Sequence, residues 1–183
     1  LCSRSGERFD LSDVPFWWNR RPRFKPHAGT PPTHGRAQEV EAINFWTGCF
    51  NQFSDRVWCN PFDAQTMASN KLRQVFLARA CGLRTPETIW SNNPDEIAIF
   101  WERHKRQAII KMFEGTEDVW QPTRPLTESI MRRRELLRFA PAIVQAYIGG
   151  EVEFRVIIFG EHIFTTSTAV GASRFPFDTR IDT

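Results

Sequence analysis

Two lysines are the residues of this chain with the clearest capacity to bind a polyanion, Lys71 and Lys111. A lysine ammonium is a mobile point charge for phosphate, and it leaves the backbone free for other contacts. Lys111 ends the apolar run 108–110, which predicts a buried parallel strand, so its charge needs a partner there. Lys71 opens a predicted helix, and taken alone it is better explained as a solvated lysine. On these residues alone, phosphate binding is therefore a hypothesis for Lys111 and not for Lys71.

A strand, a short open link and a second strand are predicted around Gly149-Gly150. The run 142–148 is apolar, and acidic residues alternate with apolar ones after the two glycines. Unpaired backbone groups at such a link can bind the donor and the acceptor on a purine edge without any special side chain. An ordinary meander of neighbouring strands is the alternative, and on these residues alone it is favoured.

The polar loop 113–123 contains one glycine, Gly115, and several hydrogen-bonding groups. Such a loop can cover phosphates, but Glu114, Glu117 and Asp118 oppose close phosphate contact unless magnesium lies between them. A lid is the hypothesis here, and an exposed polar loop is an equally good interpretation.

A basic segment near the start of the chain is predicted to bind a peptide. Arg20, Arg21 and Arg23 are interleaved with aromatic residues in an extended, proline-rich loop. Such a segment suits an acidic peptide or a nucleic acid. We prefer the peptide, because a formal net charge of +3 is too small to drive strong salt-dependent nucleic-acid binding.

The composition is that of a folded protein, and its net charge is too small to drive strong binding to polyanions. The 183 residues are 41% hydrophobic, and the four cysteines show neither paired metal spacing nor the density of a disulfide framework. No apolar run approaches the roughly 18 residues of a membrane helix. No signal-peptide pattern opens the chain either. We expect a cytoplasmic protein with no membrane partner, and we leave a homodimer open.

Local signals predict alternating helices and strands. Apolar residues at steps of three and four predict an amphipathic helix over 37–53, and prolines between residues 22 and 32 exclude helix before it. The run Asn93-Pro94-Asp95-Glu96 combines an N-cap, a first-turn proline and a capping-box acid, and it predicts a helix that reaches His104. Other predicted elements are strands at 14–18, 57–59, 88–90, 108–112 and 142–148, helices at 70–82 and 127–139, and a hairpin of 154–158 with 163–167.

Several short motifs, in this order, resemble those of the ATP-grasp ligases, and among them the microviridin-type (graspetide) peptide-macrocyclising branch. The motifs are Asn70-Lys71-x-x-Gln74, Gly82-Leu83-x-x-Pro86-x-Thr88, Ile110-Lys111, Thr123-Arg124-x-Leu126, Ala140-Pro141-x-Ile143-x-Gln145-x-Tyr147-Ile148 and Glu153-x-Arg155-Val156. Each motif is weak alone, whereas their ordered sum over residues 58–169 is specific. The resemblance implies an α/β (α+β) ATP-grasp fold, present in part. Residues 1–60 would be the tail of the preceding small domain and 61–183 an ATP-grasp region without its metal-binding lobe.

The resemblance also implies roles for individual residues, and it favours phosphate binding by Lys71 as well as by Lys111. The hinge segment, which we define as Gln145, Ala146, Tyr147 and Ile148, would bind adenine through the Ala146 carbonyl and the Ile148 amide. Relatives carry glutamate in place of Ala146, but a backbone contact tolerates alanine. Glu153 would accept hydrogen bonds from the ribose hydroxyls, because a carboxylate accepts two in a fork. An ion pair between Glu153 and Arg155 is the alternative.

The catalytic residues implied are two arginines. Arg155 alternates with apolar neighbours, so it is predicted to point away from the apolar face and to stabilise phosphate charge during transfer. Arg180 takes the place of the arginine in an Asp-aromatic-Arg segment of relatives, although Thr179 stands where they have the aromatic residue. The magnesium carboxylates of the family lie later in its sequence, so no metal ligand is assigned.

The function implied is an ATP-dependent ligase that uses ATP and Mg²⁺. It would form an ester or amide bond on a carboxylate of a precursor peptide or protein, through an acyl phosphate. There are two alternatives. One is a ligase for a free small molecule, and the other is a non-catalytic remnant that binds peptide or nucleic acid. Without assigned magnesium ligands, we expect no turnover by residues 1–183 alone.

Overall fold

The computed structural model describes residues 5–19, 29–114, 121–172 and 177. By its internal contacts the chain divides into two compact units, Leu1–Leu77 and Ala78–Thr183. None of the helices in the described ranges has the length and the apolar composition needed to cross a membrane.

The first unit is built around a small parallel pair of strands. β1 (Phe16–Trp18) pairs with β2 (Val57–Cys59), and α1 (Pro32–Asn51) and α2 (Phe62–Ser69) belong to the same unit. Trp17 on β1 stacks on Trp58 with ring centroids 5.1 Å apart and on Phe53 at 5.7 Å. Because aromatic side chains bury large areas, this cluster stabilises the pair of strands.

Two helices of the first unit differ from the prediction. α1 begins at Pro32 rather than residue 37, so the prediction that the prolines exclude helix up to residue 36 was wrong. Proline has no backbone N–H to donate, but at the first position of a helix the N–H has no partner within the helix in any case. Pro32 can therefore begin α1. α2 was not predicted, because its eight residues carry no clear apolar stripe.

α3 (Lys71–Ala80) confirms the helix predicted after Asn70. The Asn70 side chain accepts a hydrogen bond from the Arg73 amide at 3.0 Å, as an N-cap does. Gly82 has a φ of +76°, and the Leu83 amide donates back to the Ala78 carbonyl. The glycine therefore closes the helix in the left-handed conformation, at the end of the helix predicted over 70–82.

The second unit contains a four-stranded sheet in the order β3-β6-β4-β5. The strands are β3 (Thr88–Ser91), β4 (Ala108–Lys111), β5 (Arg124–Pro125) and β6 (Ala142–Ala146). Every neighbouring pair is antiparallel, so the prediction of a parallel strand ending at Lys111 was wrong. An apolar run of four residues suits a buried strand of either direction, which is why its sequence could not distinguish them.

One face of this sheet packs against α4 (Pro94–Arg103). The helix begins as predicted, because the Asn93 side chain accepts a hydrogen bond from the Asp95 amide at 3.0 Å. Ile97, Phe100 and Trp101 are buried against Ile110 and Val144 of the sheet. This cluster is the hydrophobic core of the second unit.

The segment predicted as one helix over 127–139 is divided. α5 (Glu128–Met131) is followed by a 3₁₀-helix, Arg134–Phe139, and Arg133 between them has a φ of −111°. Met131 is buried in the core and Leu137 packs against it. We infer that tertiary packing of these two side chains overrides the helical propensity of the segment.

A hairpin follows the sheet. β7 (Val152–Phe159) and β8 (His162–Ala169) pair antiparallel, and Phe159 faces His162 across a turn at Gly160-Glu161. Gly160 has a φ of +58°, which the tight turn requires. The strands are longer than predicted, and every residue of both is exposed.

Candidate functional site

Three side chains on neighbouring strands of the second unit form a hydrogen-bonded chain. The Lys111 ammonium donates to Oε1 of Gln145 at 2.7 Å. The Gln145 amide nitrogen donates to the Thr88 hydroxyl at 2.9 Å, and that hydroxyl donates to the Pro86 carbonyl at 3.0 Å. The Lys111 ammonium therefore has a hydrogen-bond partner, as expected for a charged group at the end of the apolar run 108–110.

The strand register explains why these side chains meet. Thr88 lies directly opposite Gln145, and Gln145 lies opposite Ile109, two residues before Lys111. Side chains two apart point to the same face of a strand, and diagonal neighbours are within reach of long side chains. The register therefore places Thr88, Gln145 and Lys111 on one face of the sheet, opposite the face of Val144 that packs on α4.

The surroundings of these groups are partly apolar. Ile109 and Ile143 lie on the same face and are buried, and Lys111 and Gln145 are half-buried. A hydrogen bond to a charged group is stronger where the local dielectric is low. The bond between Lys111 and Gln145 is thus suited to hold the ammonium in one place.

The hinge segment begins inside β6 and continues beyond its end. The Ala146 amide donates to the Glu87 carbonyl at 2.9 Å and the Tyr147 amide to the Gln107 carbonyl at 3.0 Å. Ile148 is exposed, and its amide makes no hydrogen bond within the described part of the chain. The Ile148 amide is therefore open to an acceptor on a ligand.

The link after this segment does not form the meander weighed as the alternative. β6 lies in the four-stranded sheet, whereas β7 pairs only with β8 among the described strands.

In the hinge segment, the ring of Tyr147 contacts the ring of Phe177, with centroids 5.2 Å apart.

Glu153 and Arg155 lie on β7 and point to the same face of the hairpin. Their cross-strand neighbours are Thr168 and Thr166. The opposite face of β7 carries Val152, Phe154 and Val156, so Arg155 points away from the apolar face, as its alternation predicted. Contact of either side chain with a nucleotide stays a prediction.

The remaining predicted residues are placed as follows. Lys71 lies in the first unit, at the first position of α3, where it is half-buried. Its phosphate role stays a prediction. Five residues lie outside the described ranges: Arg20, Arg21, Arg23, Gly115 and Arg180.

Sequence reasoning did not assign a role to Thr88. It appeared only as a motif residue and as the start of a strand, yet its hydroxyl is the group that holds the Gln145 amide. The useful signal would have been the pairing of Thr88 with Gln145, and pairing between distant strands is not visible in local periodicity.

Two groups among the described residues have the chemistry that a nucleotide requires. A held ammonium and an open backbone amide match the phosphate and the base of ATP. No group of three or more His, Cys, Asp or Glu residues is arranged for a metal within residues 5–19, 29–114, 121–172 and 177. We therefore assign no Mg²⁺ ligand here.

Comparison with known proteins gives matches in structure only, since no family model and no curated protein matches the sequence. The macrocyclase MdnC of Microcystis aeruginosa MRC, solved bound with the precursor peptide MdnA, is 28% identical, with a TM-score of 0.80. The match covers 88% of this chain and 53% of MdnC.

Two further ligases share the fold. A Chryseobacterium gregarium RiPP-associated ATP-grasp ligase, solved with ADP and a leader and core peptide, is 22% identical over 94% of this chain and 54% of its own, with a TM-score of 0.77. The macrocyclase MdnB of Microcystis aeruginosa MRC is 22% identical over 91% and 57%, with a TM-score of 0.69. This chain thus spans about half the length of the ligases that it matches. Over that part it has the ATP-grasp fold, and the resemblance to the peptide-macrocyclising ATP-grasp ligases is confirmed.

Proposed function

We propose that this chain supplies the nucleotide-binding part of an ATP-dependent ligase that modifies a peptide. The observation that carries the proposal is the ammonium of Lys111, held by Gln145 on the strand that leads to an open backbone amide at Ile148. The likeness to MdnC, a macrocyclase bound with a precursor peptide, supports the peptide as substrate.

The roles proposed for the site follow from its chemistry. Lys111 binds a phosphate of ATP, and the hinge segment binds adenine through the Ile148 amide and the Ala146 carbonyl. Glu153 binds the ribose hydroxyls, and Arg155 stabilises charge on the transferred phosphoryl group. Mg²⁺, when bound, would neutralise charge on the phosphates of ATP, and no residue of the described ranges is assigned to hold it.

Other assignments remain predictions from the sequence. Lys71 and the loop at Gly115 are proposed phosphate contacts, Arg180 a second catalytic arginine, and Arg20, Arg21 and Arg23 a peptide contact. We also propose a domain boundary at residue 60, a location in the cytoplasm and a homodimer. We further propose that this chain alone does not turn over.

The product would be an ester or an amide, formed when a hydroxyl or an amine attacks the carbonyl carbon of the acyl phosphate and displaces inorganic phosphate. The test is co-expression of everything that the gene encodes, not of residues 1–183 alone, with the small peptides encoded beside the gene. Each peptide is then measured by mass spectrometry. Loss of one water per bond is expected. Unchanged peptides together with dehydration of a free amino acid would favour the small-molecule ligase instead.

Calorimetry with ATP separates both ligases from the non-catalytic remnant. Binding of ATP is expected for a ligase, and the matched measurement with adenosine shows how much of the affinity comes from the phosphates. A chain that binds peptide but neither ATP nor adenosine would contradict the proposed function.

A further inference from the structure

The hydroxyl of Thr88 determines which way the Gln145 amide points. A hydroxyl has one proton, and that of Thr88 is donated to the Pro86 carbonyl, which can only accept. Towards Gln145 the Thr88 oxygen can therefore act only as an acceptor. It must face the NH₂ group of the amide, at 2.9 Å, so the amide oxygen faces Lys111.

The amide oxygen is the atom that Lys111 needs. An ammonium has only donors, so the reversed amide would present NH₂ to it and repel it. The Thr88 bond thus favours the one orientation that can hold the charge. Thr88 is 8% exposed, so water has little access to replace its hydroxyl.

A fixed ammonium binds an anion more tightly than a free one. An unrestrained lysine side chain populates many rotamers, and part of this conformational entropy is lost when the side chain is immobilised on a ligand. The bond to Gln145 restricts the Lys111 side chain before any ligand arrives.

We propose that Thr88 is a positioning residue for phosphate binding, which acts on Lys111 through the amide of Gln145. This inference rests on the proposed function, because it assumes that Lys111 binds a phosphate of ATP. It deepens that function by naming a buried group that affects phosphate affinity without being a proposed ligand contact.

The experiment compares two substitutions at this position. Thr88→Val removes the hydroxyl and keeps the shape, whereas Thr88→Ser keeps the hydroxyl. Thr88→Val is expected to weaken ATP binding about 3- to 10-fold, the range for one hydrogen bond, and to leave adenosine binding unchanged. Thr88→Ser should restore the affinity for ATP.

Ser91→Ala is the matched control. Ser91 lies on the same strand, is 7% exposed and uses its hydroxyl in bonds with Glu96 and Asn93, not with Gln145. Ser91→Ala should lower the melting temperature without changing the ratio of the ATP and adenosine affinities. This control separates general destabilisation from positioning.

Two further measurements test the path through Gln145 and Lys111. In a Lys111→Met background, Thr88→Val should cause no additional loss of ATP affinity, because coupled residues are not additive. Without nucleotide, the side-chain NH₂ protons of Gln145 should exchange faster with water in Thr88→Val than in Thr88→Ser, as measured by NMR.

The outcomes distinguish this inference from the proposed function. If Lys111→Met weakens ATP selectively but Thr88→Val does not, the positioning role is wrong and the proposed function stands. Equal losses for ATP and adenosine in Thr88→Val would indicate a structural role only and would overturn the inference. If the unmodified chain binds neither ligand, the proposed function fails and the inference fails with it.

Discussion

The ammonium of Lys111 lies 2.7 Å from Oε1 of Gln145, although 34 positions separate the two residues in the chain. The bond joins two antiparallel strands and fixes a positive charge at the end of one of them. Both residues occur in the motifs by which this sequence resembles the peptide-modifying ATP-grasp ligases. A held positive charge suits the phosphate of a nucleotide.

Lys111→Met should weaken ATP binding by about 1 to 3 kcal/mol, the range for a lost hydrogen bond to a charged group. Adenosine has no phosphate, so its affinity should stay unchanged, and calorimetry with both ligands checks this. Lys105→Met is the control, because Lys105 is an exposed lysine beyond the end of α4. Equal losses for ATP and adenosine would remove the phosphate role of Lys111.

Glu153→Ala should weaken the binding of adenosine relative to adenine, because the carboxylate is proposed to accept hydrogen bonds from the ribose hydroxyls. Isothermal titration with the two ligands measures the ratio. Glu151→Ala, which removes an exposed acid from the link before β7, should leave the ratio unchanged. The ribose role is wrong if Glu153→Ala leaves the ratio unchanged too.

Ile97→Ala should reduce the free energy of unfolding by about 2 to 5 kcal/mol, because a cavity would remain in the core. Ile97 is 0% exposed, whereas Ile99 on the same helix is 68% exposed. Ile99→Ala should therefore change stability by no more than about 0.5 kcal/mol. Urea unfolding of both variants tests the assignment of the buried face, and similar losses would contradict it.

Asn93→Ala should destabilise the second unit by about 1 kcal/mol, because the Asp95 amide would lose its N-cap acceptor. Asn93→Asp keeps an acceptor oxygen and should retain the stability. Thermal unfolding followed by circular dichroism measures the difference. An unchanged melting temperature in Asn93→Ala would show that the cap contributes nothing.

Amides of the hairpin should exchange with solvent faster than those of β3, β4 and β6. Every residue of β7 and β8 is exposed, whereas Ile110 and Val144 are buried in the core. A two-stranded hairpin with no buried face is only marginally stable, and exposed segments open at low free energy. Hydrogen exchange read by NMR or mass spectrometry checks the order. Slower exchange in β7 than in β6 would contradict it.

Signals that act over a few residues were sufficient to predict several elements. The run from Asn93 to Glu96 predicted the start of α4, and Gly82 predicted the end of α3. The pairing of the two hairpin strands and the position of Arg155 on the face opposite Phe154 also follow from short patterns. Caps, turns and alternation depend on neighbours in the chain, so their physical cause is present in the sequence itself.

The arrangement of the site was decided by tertiary structure. Lys111 and Gln145 were both predicted as nucleotide contacts. Local patterns did not predict that these two residues bind each other, or that Thr88, 57 positions from Gln145, orients the amide. The direction of the strand that ends at Lys111 and the division of the segment 127–139 were likewise not visible in local patterns. The physical reason is that strand pairing and core packing depend on residues far apart in sequence, and their free energy is gained only when the whole sheet assembles.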